Sequence, residues 1–464
     1  MNVVLISIYE LGRQPFSLSS PAAWLKQTDC NISCVDLAVQ SFSECREVIS
    51  SADVLAFSLP MHTATRLAGG VVKKVRAVNP AAHICFYGLY APMNEAYLRS
   101  IGGETILGGE FEEGLVSLIK RLATDVSENS GTRPHQPEPL ISLNRQQFLV
   151  PDRTGLPPLC KYAHLQVGPG SMKLTGYTEA SRGCKHLCRH CPIVPVYKGA
   201  FRVVQRDVVL DDIRRQVAAG ARHITFGDPD FFNGPTHAAT LVEALHGAFP
   251  DLTYDVTIKV EHLLKHRELL PRLRDTGCLF VTSAVESIDD HVLQIYEKNH
   301  TRRDFLECVE MFHEIGLQMQ PTFVVFSPWT TLKSYLELLH LLVELDLVDN
   351  VSPVQYAIRL LIPDASRLLE LEEVQKLVGE FDQQSLMYPW VHADPRVDEL
   401  QLNVMAAVQK GQSLHESRRQ IFQRVWDLAH QAYHDSVSEH LKIAWSDHAP
   451  PRASVPFLTE PWYC

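Results

Sequence analysis

The sequence predicts an α/β protein: a doubly wound, Rossmann-like parallel sheet, then a full or partial parallel (β/α) barrel, then a helical extension. Three observations predict it. Short apolar strands alternate with helical stretches in two separate series, the pattern of parallel sheets covered by helices. A polar segment containing Gly and Pro parts the two series, and such a segment marks a boundary. The length of 464 residues exceeds what one small core organises.

In the first series, Val3 to Ile8, Ile32 to Leu37, Val54 to Leu59 and His83 to Tyr87 read as buried strands. Thr65 to Val78 is helical and stops at Asn79-Pro80, and Ile106 to Leu107 is a further strand before a helix from Glu112 to Leu122. Ligands of such sheets bind beyond the carboxyl ends of the strands. Those ends carry "ELGRQPF", "PMHTAT", "GLYAPMN" and "GGEFE". Ala123 to Pro139 is the boundary segment, and the proline-rich "VPDRTGLPPLCKYAHL" after it is expected to run extended over the surface.

The second series begins near Lys173. Strands are expected at Thr175 to Glu179, His223 to Phe226, Tyr254 to Ile258, Leu279 to Ser283, Met319 to Phe326 and Gln355 to Leu361. Helices at Val208 to Ala219, Pro235 to Ala248, Leu263 to Thr276, Arg302 to Ile315 and Thr331 to Leu345 separate them. Repeated strand-then-helix units indicate a parallel barrel, with functional residues at the carboxyl ends of its strands. The expected division is 1–124 for the first sheet, 125–170 for the linker, 171–375 for the barrel and 376–464 for the helical extension and tail.

Composition excludes several partners. Apolar content of 45% and charged content of 21% suit a soluble globular chain. A net charge of −11 argues against nucleic acid, whose phosphates need a basic surface. No apolar run approaches a membrane span, and "MNVVLISIYELG" reads as a strand without the features of a signal peptide. A cytoplasmic protein is the resulting expectation. Of eleven cysteines, Cys30, Cys34, Cys45, Cys85, Cys160, Cys278 and Cys308 follow no regular spacing. In a reducing compartment they are expected to be small core residues.

"EASRGCKHLCRHCP" is different, placing Cys184, Cys188 and Cys191 at C-x3-C-x2-C without a fourth cysteine nearby. A zinc site would need His186 or His190 as fourth ligand, and the usual downstream ligand pair is missing. Disulfides would leave an odd thiol in a reducing compartment. An iron–sulfur cluster fits, since closely spaced thiolates can each take a different iron and leave one iron open.

The C-x3-C-x2-C loop after the first strand of a parallel barrel resembles the signature of the radical S-adenosylmethionine (SAM) enzymes. That resemblance implies a 4Fe-4S cluster on Cys184, Cys188 and Cys191, with SAM chelating the open iron through its amino and carboxylate groups. It implies reductive cleavage of the sulfonium, usually to a 5′-deoxyadenosyl radical, with electrons from an external flavodoxin- or ferredoxin-type donor and a small-molecule substrate. His190 departs from the aromatic residue common before the third cysteine, but C-x-H-C-P occurs in the subgroup with an N-terminal cobalamin-binding domain. The match carries further positions. Gly227 and Asp228 in "GDPDF" are similar to the turn that receives the amino end of SAM, with Asp for the usual Glu. Glu286 and Ser287 in "AVES" match a pair whose carboxylate can accept ribose hydroxyls, although Ser287 or Asp289 equally reads as a helix cap. Arg202 and Lys198 follow the cluster loop and could offset its charge; for Lys198 a solvated surface position is the plainer reading.

The N-terminal sheet resembles the cobalamin-binding domains found before such barrels, most clearly in "IGGETILGGEFEEGLVSLIKRL". The D-x-H-x-x-G cobalt-ligand motif is not found, as in related methylases, so cobalamin is admitted as a further cofactor without being required. His62 in "PMHTATRLA" stands at a strand end as a candidate ligand or substrate contact. The implied reactions are cobalamin-assisted methylation or carbon–heteroatom bond formation; the alternative is a non-catalytic iron–sulfur or metalloid-binding sensor. The tail "VPFLTEPWYC", with "SIYELGRQPFSLSSPAAWL" and "YAIRLLIPDAS", resembles a radical SAM group whose tails read Cys-Cys-Ala-Glu-Pro or Cys-selenocysteine-Ala-Glu-Pro. That implies a natural chain continuing past Cys464 with selenocysteine, and a thiol there for redox or a thiophilic substrate such as a trivalent metalloid.

Overall fold

A computed structural model describes residues 1–127, 137–168, 170–434 and 455–458. The first sheet comprises β1 (Asn2–Ser7), β2 (Asn31–Asp36), β3 (Val54–Ser58), β4 (His83–Tyr87), β5 (Thr105–Gly109) and β6 (Ile141–Ser142). All pairs are parallel in the order β2-β1-β3-β4-β5-β6. The order reverses between β1 and β3, and that switch point is where such sheets open a crevice for ligands. Apolar residues on both sheet faces are buried, among them Val4, Ile6, Phe57 and Phe86 in one layer and Val3, Leu5, Ala56 and Tyr87 in the other. Two-sided burial explains why these strands read as continuous apolar runs.

A helix over Phe16–Leu25 follows β1 and contains Pro21. Proline cannot donate to the carbonyl of Ser17 one turn earlier, and the Tyr87 hydroxyl donates to that carbonyl instead, at 2.9 Å. Glu10 caps the start of this helix, accepting from Phe16 N at 3.1 Å and Ser17 Oγ at 2.5 Å. The cap fixes Glu10 at the carboxyl end of β1.

The second sheet contains β7 (His164–Gly168), β8 (Ser171–Thr178), β11 (His223–Phe226), β12 (Thr253–Thr257), β13 (Cys278–Glu286), β14 (Gln318–Phe323) and β15 (Phe457–Leu458), with β9 (Ser181–Gly183) and β10 (Phe201–Val203) forming a separate hairpin. Its order is β14-β13-β12-β11-β8-β7-β15. The five strands from β8 to β14 are parallel, while β7 and β15 run antiparallel at one edge. The sheet curls into a half-barrel: Gln320 on β14 donates its side-chain amide to Pro456, beside β15 at the other edge. Crossover helices pack apolar stripes onto its outside. The helix Arg302–Ile315 buries Phe305, Cys308, Val309, Met311 and Phe312, starts at a Thr301–Asp304 capping box and ends at Gly316 with φ +75°. Each device is the expected one for its end of a helix.

Four expectations need correction. The strand foreseen over Gln355 to Leu361 is a 3-10 turn, Pro353–Ala357, followed by one parallel bridge from Arg359 to Phe326. The helix foreseen over Leu263 to Thr276 is three short pieces, the last opening with Pro271 in its first turn. The linker contributes β6 and β7 as well as extended chain. Cys160 is exposed and Cys30 and Cys34 are half-buried, because Cys160 sits on a surface 3-10 turn behind the tandem prolines. Cys464 lies outside the described residues.

Candidate active site

The cysteine loop leaves β9 through Gly183, whose φ is +72°. A Cβ there would lie 2.3 Å from Tyr197 Cδ1 and 2.6 Å from the Ala200 carbonyl oxygen, so only glycine fits. The loop is tied to the far wall of the half-barrel. Arg189 N donates to the Tyr296 carbonyl at 3.0 Å, and the Arg189 guanidinium pairs with Glu297 at 2.7 Å. Arg367 reaches both Glu297 and the Leu187 carbonyl.

Cys184 and Cys188 are buried, and Cys191 is half-buried. Burial raises the Cys184 thiol. Burial also pushes Cys191 up to about 12, with Cys188 and Cys184 adding to the shift and Lys298 opposing it. The three thiols thus stand within electrostatic reach of one another. Two lysines are buried beside them, Lys259 at 6% and Lys298 at 3% exposure. Lys259 Nζ is 3.9 Å from Cys188 Sγ. Burial opposes the charge of Lys298, yet Glu286, Cys188 and Cys191 hold its pKa above the ordinary value. Buried cations need compensating negative charge. Glu261 and Glu286 supply part of it, each at 3.3 Å, and an iron–sulfur core held by three thiolates would add further negative charge beside them, so the donor set fits such a cluster.

Glu286 closes β13 with φ +67°, at a register shift against β14. Its Oε1 lies 3.3 Å from Lys298 Nζ and 3.2 Å from His190 Nε2. Burial works against its ionisation, but Lys298 and His190 hold the carboxyl down at about 2. His190, one of two histidines considered as a zinc ligand, therefore faces Glu286. His186, the other, brings its ring within 4.8 Å of ligand atoms on Cys184 and Asp230. Asp230 is fully buried, 2.6 Å from His262 Nδ1 and 3.5 Å from His186 Nε2, and these histidines hold it at about 2 against the effect of burial.

A cavity of about 430 Å³ opens between the two sheets. The loops after β1, β3, β4 and β5 form one wall, through Glu10, Arg13, Ser58, Met61, Gly88 and Phe111. The half-barrel forms the other, through Tyr177, Glu179, Thr225, Asp255, Thr257 and Thr282, and the residues flanking the cysteine loop, Gly183 and Ile193, stand at its rim. Gly227 and Asp228 line this cavity. A Cβ on Gly227 would fall 1.7 Å from the Tyr177 hydroxyl. Asp228 accepts from Ser181 Oγ at 2.6 Å and Ala180 N at 2.9 Å, and burial pushes its carboxyl up to about 7.

The other residues singled out in the sequence lie elsewhere. Ser287 Oγ accepts from Asp289 N at 3.0 Å in the turn before a helix that Asp289 caps. Arg202, on β10, donates to the carbonyls of Leu143 and Phe201. Lys198 is exposed, in the left-handed turn that ends the helix Val194–Tyr197. His62 opens the helix His62–Val78, with Nε2 2.7 Å from the Ser385 carbonyl oxygen. Sequence reading missed Lys259, Lys298, the Asp230–His262 pair and a charged junction at Arg182. Arg182 is 2.7 Å from Glu112, 3.3 Å from Glu110 and 2.8 Å from Glu179, joining β9 to the end of the first sheet.

Comparison with known proteins agrees with this geometry. Residues 178–342 match the model of the Radical SAM superfamily. A tRNA-2-methylthio-N(6)-dimethylallyladenosine synthase of Desulfosudis oleivorans is 26% identical over 46% of this chain and 47% of its own. A hopanoid C-3 methylase of Methylococcus capsulatus is 23% identical over 69% of this chain and 62% of its own. The chain thus spans about half to three fifths of those relatives. Among solved structures, the cobalamin-dependent S-adenosylmethionine radical enzyme OxsB with aqua-cobalamin bound is similar at a TM-score of 0.67 and 15% identity, over 89% of this chain and 67% of that one. The radical SAM methyltransferase TsrM from Kitasatospora setae, with tryptophan and a SAM analogue bound, is similar at a TM-score of 0.59 and 18% identity, over 74% of this chain and 71% of that one. With three thiols within electrostatic reach of one another on the loop after β9 and the superfamily model matching residues 178–342, the chain carries a radical SAM domain, and that domain implies a 4Fe-4S cluster and SAM as cofactors.

Proposed function

We propose that this enzyme cleaves SAM reductively and functionalises a small molecule held in the cavity between its two sheets. One observation carries the reading: Gly183 and Ile193, which flank the cysteine loop, and the ligand-binding ends of the first sheet line the same cavity of about 430 Å³. That volume lies toward the lower end of the ~300–1,000 Å³ typical of small-molecule sites, room for a nucleoside-sized cofactor and a small substrate. A cluster held by Cys184, Cys188 and Cys191 would supply the electron that cleaves SAM. The protein's own residues do the rest. Cys184, Cys188 and Cys191 hold the cluster, Lys259 and Lys298 offset its charge, and Gly227 leaves the strand end bare beside Tyr177. Apolar walls at Phe16, Phe111 and Phe280 keep water from a reactive intermediate.

Cobalamin-assisted methylation and carbon–heteroatom bond formation are the two reaction types the reading covers. The first draws support from the relatives that are methylases or methyltransferases and from the cobalamin bound by OxsB. It also draws support from Ser58, whose buried hydroxyl has no hydrogen-bond partner among the described residues and which lines the cavity at the β3 end, beside the switch point. Electrons come from a flavodoxin- or ferredoxin-type donor.

Anaerobic reconstitution with iron and sulfide, followed by dithionite and SAM, should yield 5′-deoxyadenosine. Alanine at Cys184, Cys188 and Cys191 together should abolish both the cluster absorbance and that product. Cleavage surviving in the triple variant would sink the reading, and a loaded wild-type cluster that forms no product would favour a non-catalytic sensor. The absorbance spectrum of the purified protein decides whether cobalamin is bound.

A further inference from the structure

Charge is distributed unevenly along the cavity. At the end near the cysteine loop, Glu10, Glu179 and Asp228 surround the Tyr177 hydroxyl, together with Arg13, whose guanidinium lies 4.7 Å from the Tyr177 ring centre. Of the cations there, Arg182 stands in its ion pairs, and Arg13 lies over the Tyr177 ring with its Nε lacking a hydrogen-bond partner among the described residues. Gln320, Ser352, Arg418 and Phe457 also line the cavity, beside the seam between β14 and β15. Arg418 is a cation with no carboxylate partner among the described residues. The neighbouring Arg419 takes the Asp349 carboxylate at 2.7 Å, leaving Arg418 only the Asp349 carbonyl, at 2.5 Å from Nη1. Its guanidinium otherwise stacks on Phe457, 4.4 Å from the ring centre. Burial lowers its pKa to about 10, with Tyr356 and the Asp349 carboxylate opposing the shift. The Tyr356 hydroxyl, in electrostatic reach of Arg418, is buried and has no partner either.

A planar fork of donors lining the cavity is suited to an anion it can grip with two hydrogen bonds. We propose that Arg418 anchors an anionic group, a carboxylate or a tetrahedral oxyanion, on the small-molecule substrate. The inference rests on the reading that the cavity is the substrate site, and it adds the substrate's charge. A neutral substrate would leave the half-buried guanidinium without an ion pair, whereas an anion would satisfy it.

The test uses the full chain, reconstituted anaerobically, in a buffer free of carboxylates and phosphate. Butyrate, inorganic phosphate and the neutral isostere butyramide are titrated against wild type, Arg418→Lys and Arg418→Gln, with binding read by calorimetry. At least one anion should bind wild type saturably and butyramide should not. Arg418→Gln should weaken the anion by roughly 10- to 100-fold, as loss of a charged hydrogen-bond donor does, with Arg418→Lys between. Preference for butyrate assigns a carboxylate, and preference for phosphate a tetrahedral oxyanion. The proposal is overturned if neither anion binds, if butyramide binds as well as butyrate, or if Arg418→Gln binds with wild-type affinity. Should Arg418→Gln not fold, phenylglyoxal modification of wild type replaces it: the bound anion should protect Arg418, and protection at Arg13 alone overturns the assignment. Because the readout is binding, this test can fail while SAM cleavage succeeds, and the reverse.

Discussion

Replacing Lys259 by methionine removes a buried positive charge, keeps most of the side chain's volume, and should make the cluster harder to reduce. The lysine Nζ lies 3.9 Å from Cys188 Sγ. At an effective dielectric of about 20, unit charges at that separation interact by about 4 kcal/mol. Two features reduce the figure. The added electron is spread over the iron–sulfur core beyond the thiolate, and Glu261, 3.3 Å from Nζ, offsets part of the lysine's field. Taking half leaves ~2 kcal/mol. A one-electron couple shifts by ~59 mV per factor of ten, or ~1.4 kcal/mol, so the potential should fall by about 90 mV. The measurement is a redox titration of the reconstituted protein followed by electron paramagnetic resonance. Lys259→Arg, which keeps the charge, should remain within about 30 mV of wild type. A fall of less than about 20 mV in Lys259→Met, or any rise, would refute the claim that this lysine sets the cluster's charge balance.

Burial raises Glu10, Glu110 and Asp228 each to about 7. A carboxyl with a raised folded pKa binds its proton more tightly when folded, so its stabilisation is complete below about pH 4 and is lost as pH rises through about 7. The melting temperature should therefore fall between roughly pH 5 and 8, and Asp228→Asn should flatten the fall; an unchanged slope in the variant contradicts the assignment. Arg182→Met leaves Glu110, Glu112 and Glu179 buried without their cation and should cost about 3–5 kcal/mol, seen as a lower denaturation midpoint that Arg182→Lys partly restores. Gly183→Ala drives a Cβ into Tyr197 and should prevent cluster assembly, visible as lost absorbance after reconstitution. Gly247→Ala, where a Cβ meets nothing within 4 Å, should assemble normally.

Both alternations are legible because parallel strands buried on two faces must be apolar along their whole length, and their crossover helices carry one apolar stripe. The same logic fails for the irregular pieces. β6 and β15 are two residues long, too short for any period, and owe their existence to edges that the rest of the fold provides. Gln355 to Leu361 is apolar enough for a strand, but Pro353 opens a tight turn there and only Arg359 pairs. In the site, the cysteines are legible because their ligand set lies within one loop. Lys259 and Lys298 are not, because their partners arrive from other strands. Cys188 is 71 residues from Lys259, and no local pattern encodes that distance.

Arg182 shows why the two sheets should be considered together. It sits two residues before Cys184, on the strand that launches the cysteine loop, yet Glu110 and Glu112 come from the end of β5 in the first sheet. Its side chain is 8% exposed and those of Glu110 and Glu112 are 1% or less, so its field is little screened by solvent. Ser20, from the helix Phe16–Leu25, accepts from the same guanidinium at 3.1 Å and donates to Glu112 at 2.6 Å. Moving the first sheet away would strand one cation and two carboxylates in a dry interface, a cost of several kcal/mol. The first sheet is thus a structural support of the cysteine loop as well as one wall of the cavity. It follows that the first sheet has a reason to persist whether or not it holds a corrinoid, and that deleting it should disorder the loop that carries the cluster. A half-barrel expressed without residues 1–124 that still assembled its cluster at wild-type yield would show that this support is dispensable.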